Sequence, residues 1–143
     1  MDSPHFRQAG EVAFGDTDAS GWMHFPNIFR HVEAAEHAFL RSLGVLVFAR
    51  DRGGWPRVRV ECDYKRPLRA GDRITVELVV ARIGAASVSW KFDVRDAAGE
   101  VAATGAMTTV RVGHDGRPCG IPADERAALE TGSRPSTPAD HGA

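Results

Sequence analysis

The chain is 143 residues long, 43% hydrophobic and 26% charged, with a formal net charge of -1, a make-up that fits one globular domain with enough chain to bury a core. That balance excludes a broad basic field for nucleic acid, and no run approaches the roughly 20 apolar residues of a membrane helix. The opening MDSPHFRQAGEV lacks the apolar stretch of a secretory signal, and neither Cys62 nor Cys119 has neighbours at metal or disulfide-framework spacing, so a cytoplasmic protein with two reduced thiols is expected.

A weak alternation at residues 10–15, with Val12 and Phe14 on one face, predicts a short opening strand. From Pro26 the period changes. Ile28, Val32, Ala35, Phe39 and Leu43 recur at three- and four-residue steps, flanked by Phe29 and Leu40, which lays one broad apolar stripe along a long helix. Pro26 suits a first helical position and Gly44 a left-handed C-terminal cap.

After the loop VLVFARDRGG the period becomes two. Val58, Val60, Cys62 and Tyr64 face one way, and Arg57, Arg59, Glu61, Asp63 and Lys65 the other, predicting a half-buried antiparallel strand. PLRAGD turns the chain into a strand carrying Ile74, Val76, Leu78 and Val80; beyond Gly84 another carries Val88, Trp90, Phe92 and Val94. RDAAGE is a hairpin turn, and Val101 to Val112 forms a last strand closed by GHDGRP. From Pro122 one short helical turn is expected at DERAALE, and beyond Thr131 the Gly, Ser, Pro and Thr content predicts disorder. The expected division is a domain over residues 1–121 and a tail over 122–143. Strand, long helix, then four strands in hairpin succession is an α+β order, one helix laid against a five-stranded antiparallel sheet. Its exposed edges invite pairing with a second copy.

The junction FGDTDASGWMHFPNIFRHVEAAE concentrates polar groups where the strand gives way to the helix. Asp16 and Asp18 fit a turn, because Asp side chains accept backbone N–H groups there. They also fit chemistry: a carboxylate, a flexible Gly21 and a helix N-terminus whose free N–H groups favour a developing oxyanion together form the parts of an acyl-transfer site. His24 reads either as a solvated or capping residue or as a polar group orienting a thioester or water near Asp18. Glu36 falls within the apolar arc, either bordering a cavity or subunit contact or reaching out to water. His31 and His37 lack metal-ligand spacing and read as surface residues. Trp22, Phe48 and Trp55 are candidates to line a pocket, with satellite core as the alternative.

This junction closely resembles the N-terminal signature of the 4-hydroxybenzoyl-CoA thioesterase branch of the hotdog-fold acyl-CoA thioesterases: an aromatic, D-x-D, a Gly after two intervening residues, then an aromatic, Pro-Asn and the long helix. The resemblance implies a hotdog fold, a homodimer or homotetramer with active sites at the dimer interface, and hydrolysis of an acyl-CoA with no metal or cofactor beyond the coenzyme A of the substrate. It assigns Asp18 as nucleophile or general base, the Phe25 backbone N–H as oxyanion donor, and Gly21, His24 and Asn27 to the substrate-binding surroundings, with Gly21 letting the chain approach closely and Asn27 organising the helix start. Two departures stand out. Met23 and His24 occupy positions where many relatives have a branched aliphatic and an aromatic, and the stretch IGAASV lacks the basic residues that grip coenzyme A phosphates in the aryl-CoA enzymes, leaving Arg82, Lys65 and Arg66 as replacements. The alternatives are a thioesterase acting on an acyl carrier protein, with RDRGGWPRVR as docking patch, a hotdog dehydratase or hydratase, and an acyl-binding protein without turnover.

Overall fold

The computed structural model describes residues 3–134. Seven strands and two α-helices follow one another as β1 (Phe6–Glu11), α1 (Ile28–Ser42), β2 (Phe48–Ala49), β3 (Gly53–Gly54), β4 (Arg57–Tyr64), β5 (Arg73–Ile83), β6 (Ser87–Arg95), β7 (Val101–Val110) and α2 (Ala123–Gly132), with short 3-10 turns at Phe14–Asp16 and Phe25–Asn27. Five strands form one antiparallel sheet in the order β1-β5-β6-β7-β4, and β2 with β3 makes a small separate ribbon. This is the expected α+β hotdog arrangement, one long helix against a five-stranded antiparallel sheet.

The stripe on α1 is the reason the helix lies where it does. Ile28, Val32, Ala35, Phe39 and Leu40 are buried against the inward face of the sheet, where Leu78, Val88, Trp90, Phe92 and Val94 are buried in turn. Each of the larger aliphatic and aromatic side chains contributes about 2 kcal/mol of transfer free energy. Aromatic contacts lock the layers: Phe39 stacks on Phe6 at 5.3 Å and meets Trp90 edge-on at 6.0 Å, while Phe29 meets Phe92 at 6.1 Å. The Trp90 indole N–H donates to the Thr109 hydroxyl at 3.0 Å, so burial leaves no orphaned donor. On the opposite face a charged ladder crosses three strands, Glu77 accepting from Arg7 at 2.8 Å and from Arg95 at 2.6 Å. Gly44 caps α1 at φ +76°, as the sequence predicts.

Several expectations are corrected. The first strand lies earlier, at Phe6–Glu11, and Phe14 sits in a 3-10 turn with 86% of its surface exposed. Of the four later strands only the last three are in hairpin succession, β5 pairing with β6 and β6 with β7; β4 pairs with β7, so the turn after β4 carries the chain from one edge of the sheet toward the other. As the edge strand, β4 leaves Val58, Val60 and Tyr64 exposed rather than half-buried. The tail forms more than one turn. Helix α2 buries Glu125 and Leu129, continuing the packed structure beyond Ile121. The disorder expected beyond Thr131 falls mostly on residues 135–143, outside the described residues. Among the described residues, no helix is long and apolar enough to cross a membrane.

Candidate active site

Residues 17–23 form a tight reversal between the end of the first 3-10 turn and the start of the second. Thr17 and Met23 pair across it as a β-bridge, the Asp18 N–H donates to the Trp22 carbonyl at 3.1 Å, and the Gly21 N–H returns to the Asp18 carbonyl at 3.0 Å. Gly21 adopts φ +82°, a conformation costly for any residue with a Cβ. No heavy atom stands within 4 Å of where that Cβ would be. The glycine therefore serves the turn's left-handed geometry.

Asp18 lies at the corner of this reversal with its side chain 44% exposed. Its Oδ1 accepts both the Ser20 hydroxyl and the Ser20 N–H, the latter at 2.9 Å, while His24 Nδ1 stands 3.4 Å from Oδ2. The Ser20 hydroxyl, then the Ser20 N–H, hold this carboxyl below its ordinary pKa, and His24 adds to the effect. Asp18 is thus an ionised carboxylate with one oxygen engaged and the other facing outward beside an imidazole.

Phe25 opens the second 3-10 turn, so its N–H has no acceptor within that turn. Its carbonyl is fixed by the Tyr64 hydroxyl, which donates at 2.6 Å, and its ring meets Tyr64 edge-on at 6.5 Å. Burial, then Cys62, pushes the Tyr64 phenol up to about 12, so it remains a donor. The His24 ring contacts Phe25 from the other side at 5.2 Å, while the His24 backbone N–H donates to the Asp16 carbonyl at 2.8 Å. The Asn27 side chain donates to that same carbonyl at 2.9 Å, which commits its amide to organising the helix start. A cavity of about 320 Å³ opens beside Phe25, lined by Trp22, Met23, Ile28, Tyr64, Lys65 and Leu68 among others.

Beneath the loop lies a clamp that sequence reasoning missed. Asp16 is 1% exposed and its carboxylate accepts the Ala13 N–H at 2.9 Å, Arg30 at 2.8 Å and His31 Nε2 at 2.8 Å. Burial works to raise its pKa, but the His31 hydrogen bond, the Ala13 N–H and the two neighbouring charges outweigh it and the result is lowered. His31 is consequently a half-buried partner of Asp16 rather than a surface residue. The signal was present as D-x-D, but the fifteen-residue separation of Asp16 and His31 has no local periodicity to reveal it.

A second cavity of about 560 Å³ lies near the other end of α1, lined by Glu33, His37, Phe48, Trp55, Arg57 and His114 among others. Of the aromatics considered as pocket walls, Trp22 lines the first cavity and Phe48 and Trp55 the second. His37, half-buried there, is pushed down by burial. Glu36 does not reach out to water: it is 1% exposed and bound to Arg57, which lines this cavity. Burial, reinforced by Glu33 and opposed by Arg57, raises its carboxyl to about 7. No cluster of His, Cys, Asp and Glu among the described residues has the arrangement of a metal site.

Residues 12–129 match the family model described as the Thioesterase-like superfamily. A 1,4-dihydroxy-2-naphthoyl-CoA hydrolase from Synechococcus elongatus is 38% identical over 77 residues, a stretch that spans 51% of this chain and 57% of that relative's length. Among solved structures, a gentisyl-coenzyme A thioesterase superposes with a TM-score of 0.79 at 28% identity, covering 86% of this chain and 98% of the other. A Thermus thermophilus thioesterase complexed with coenzyme A and Zn gives a TM-score of 0.81 at 26% identity, covering 94% and 100%.

Proposed function

Because the chain belongs to the Thioesterase-like superfamily, we propose that it hydrolyses an acyl-CoA thioester to a carboxylic acid and free coenzyme A, with Asp18 as the working carboxylate and the Phe25 N–H as oxyanion donor. The observation that carries this reading is the junction itself: an ionised, exposed Asp18 stands a few residues before a backbone N–H that has no helical acceptor and whose residue is held by Tyr64. A thioester carbonyl resting on that N–H gains stabilisation as its oxygen becomes negative. Asp18 then attacks the carbonyl carbon, forming an anhydride that water cleaves, or takes a proton from water as the water attacks. Either way the C–S bond breaks, the acyl carbon gains the oxygen of water and the sulfur leaves with a proton. Coenzyme A enters as part of the substrate.

The acyl groups named for the relatives, dihydroxynaphthoyl and gentisyl, support a hydroxylated aromatic acyl group as the substrate class. A homodimer belongs to this proposal. Edge strand β4 exposes Val58, Val60 and Tyr64, and antiparallel pairing of two copies about the middle of β4 would set Tyr64 near the partner's Arg57. That brings the Phe25 cavity of one protomer toward the second cavity of the other, giving the acyl group walls from both. Two unpaired thiols support a cytoplasmic setting.

The test is release of free thiol from aromatic and aliphatic acyl-CoAs by the wild-type protein and Asp18→Asn. Turnover that collapses in the variant while the dimer persists supports the reading. Equal turnover in both removes Asp18 from the chemistry, and no turnover on any acyl-CoA overturns the activity.

A further inference from the structure

Lys65, Arg66 and Arg69 sit together on the turn between β4 and β5, and no ion pair among the described residues neutralises any of them. The chain carries a formal net charge of -1, so this is a local concentration rather than a general basicity. Asp72 lies in the same turn, but its carboxylate accepts the Arg69 backbone N–H at 2.8 Å and pairs with none of the three side chains; like charges held together repel one another, and a bound anion reduces that cost.

The turn is firmly built. The N–H groups of Lys65 and Arg66 both donate to the Ala102 carbonyl, at 2.8 and 3.1 Å, and the Leu68 carbonyl accepts the Met23 N–H at 2.7 Å. Arg69 pairs with Trp22 as a β-bridge, and its guanidinium lies 5.9 Å from the indole centroid. With the Tyr64 hydroxyl on the Phe25 carbonyl, the cationic turn is tied to the loop that presents Asp18 and Phe25. Lys65 and Arg66 also line the same cavity as Phe25, whose remaining wall is largely apolar.

We infer that Lys65 and Arg66, with Arg69 beside them, bind the phosphates of a coenzyme A nucleotide whose thioester lies against the Phe25 N–H. This rests on the reading of the chain as an acyl-CoA thioesterase and adds the grip on its leaving group. The pantetheine arm separates thioester from diphosphate by a flexible chain that suits an apolar channel ending in cations. Guanidinium and ammonium groups are the side chains suited to phosphate oxygens. The turn at Ile83–Val88 offers no Lys or Arg. A carrier protein's prosthetic arm presents a single phosphodiester, whereas the nucleotide presents a diphosphate and a 3'-phosphate, the better match to three cations.

The experiment compares one acyl group on coenzyme A, on N-acetylcysteamine and on an acyl carrier protein, using wild type and the double variant Lys65→Ala, Arg66→Ala. Loss of roughly tenfold or more in kcat/KM on the acyl-CoA, the size of one charge-assisted hydrogen bond, with N-acetylcysteamine turnover unchanged, supports the site. Equal losses on the two small thioesters, or no loss on either, overturn it. A loss confined to the carrier-protein substrate overturns the nucleotide as the source of the phosphates. Should wild type hydrolyse no thioester, the activity fails separately, and binding of adenosine 3',5'-bisphosphate followed by tryptophan fluorescence decides the phosphate site: binding by wild type that is lost in the variant supports it, and no binding by wild type overturns it.

Discussion

His31 Nε2 lies 2.8 Å from Asp16 Oδ2, so the first turn of α1 is fastened to the loop that presents Asp18. Arg30 and the Ala13 N–H complete the shell around the same carboxylate, and the Asp16 carbonyl receives His24 and Asn27. One buried residue therefore sets the direction of the strand exit, the helix entry and the peptides between them. Asp16 carries the geometry, while the Asp18 side chain stays 44% exposed.

Asp16→Ala should cost about 2–3 kcal/mol of stability, because it strips acceptors from three donors around a buried site. The pH dependence has a defined sign. The folded pKa lies below the unfolded value, so the contribution is present in full above about pH 4 and is lost as pH falls through the lower folded value. Denaturant titrations at pH 3 and pH 6 check both points. A variant as stable as wild type at pH 6 would falsify the clamp.

Asp18→Asn should leave the denaturation midpoint close to that of wild type, as for other exposed substitutions. Its effect belongs to turnover, with kcat falling by about a hundredfold or more if the carboxylate is base or nucleophile. The lowered pKa of Asp18 predicts that wild-type activity keeps its working carboxylate down to about pH 4. A pH–rate profile on both proteins measures this, and a wild-type acid limb centred near neutrality would point to another group.

Glu36 behaves in the opposite sense to Asp16. Its folded pKa of about 7 lies above its ordinary value, so its contribution is full below about pH 4.3 and declines as pH rises toward 7, by about 3 kcal/mol over that window. Glu36→Gln keeps a hydrogen-bonding group beside Arg57 and should flatten the decline. Unfolding free energies of the two proteins at pH 5 and pH 8 should converge at the first and diverge at the second, with the variant the more stable.

Tyr64→Phe removes the hydroxyl on the Phe25 carbonyl while retaining the ring. Phe25, the proposed oxyanion donor, then loses an anchor, and kcat should fall by about tenfold, the value of one positioning hydrogen bond, with KM little changed. A change confined to KM would move Tyr64 from positioning Phe25 to holding substrate.

Val60→Lys places a charge at the centre of exposed edge strand β4. Charged residues on an edge oppose strand pairing, so light scattering after size exclusion should show the proposed dimer for wild type and a monomer for the variant, with activity lost in parallel. A dimeric variant would place the interface elsewhere.

The α1 stripe was legible because burial imposes a period that local spacing reveals: Ile28, Val32, Ala35 and Phe39 all face the sheet. The strands β5 to β7 were legible for the same reason. What alternation could not reveal was partnership. The apolar series Val58, Val60 and Tyr64 looks the same whether or not a helix covers it, and only the position of β4 at the sheet edge, with those side chains exposed, separates the cases. At the site, the reversal holding Asp18 and Gly21 could be read from local residue types. Asp16 with His31, Glu36 with Arg57 and Tyr64 with Phe25 join residues distant along the chain, and no short window contains such a pair.

Glu125 of α2 accepts from Trp55 Nε1 at 2.9 Å and from Arg111 at 3.0 Å, and Arg52 reaches it at 3.2 Å. Trp55 belongs to the wall of the second cavity and Arg111 is almost wholly buried. During synthesis the ribosome adds the counter-charge for that buried guanidinium some fourteen residues after the arginine itself. The end of the molecule that holds the second cavity can therefore close only after Glu125 has been made, whereas the α1 turn around Asp16 has its partners once His31 has followed.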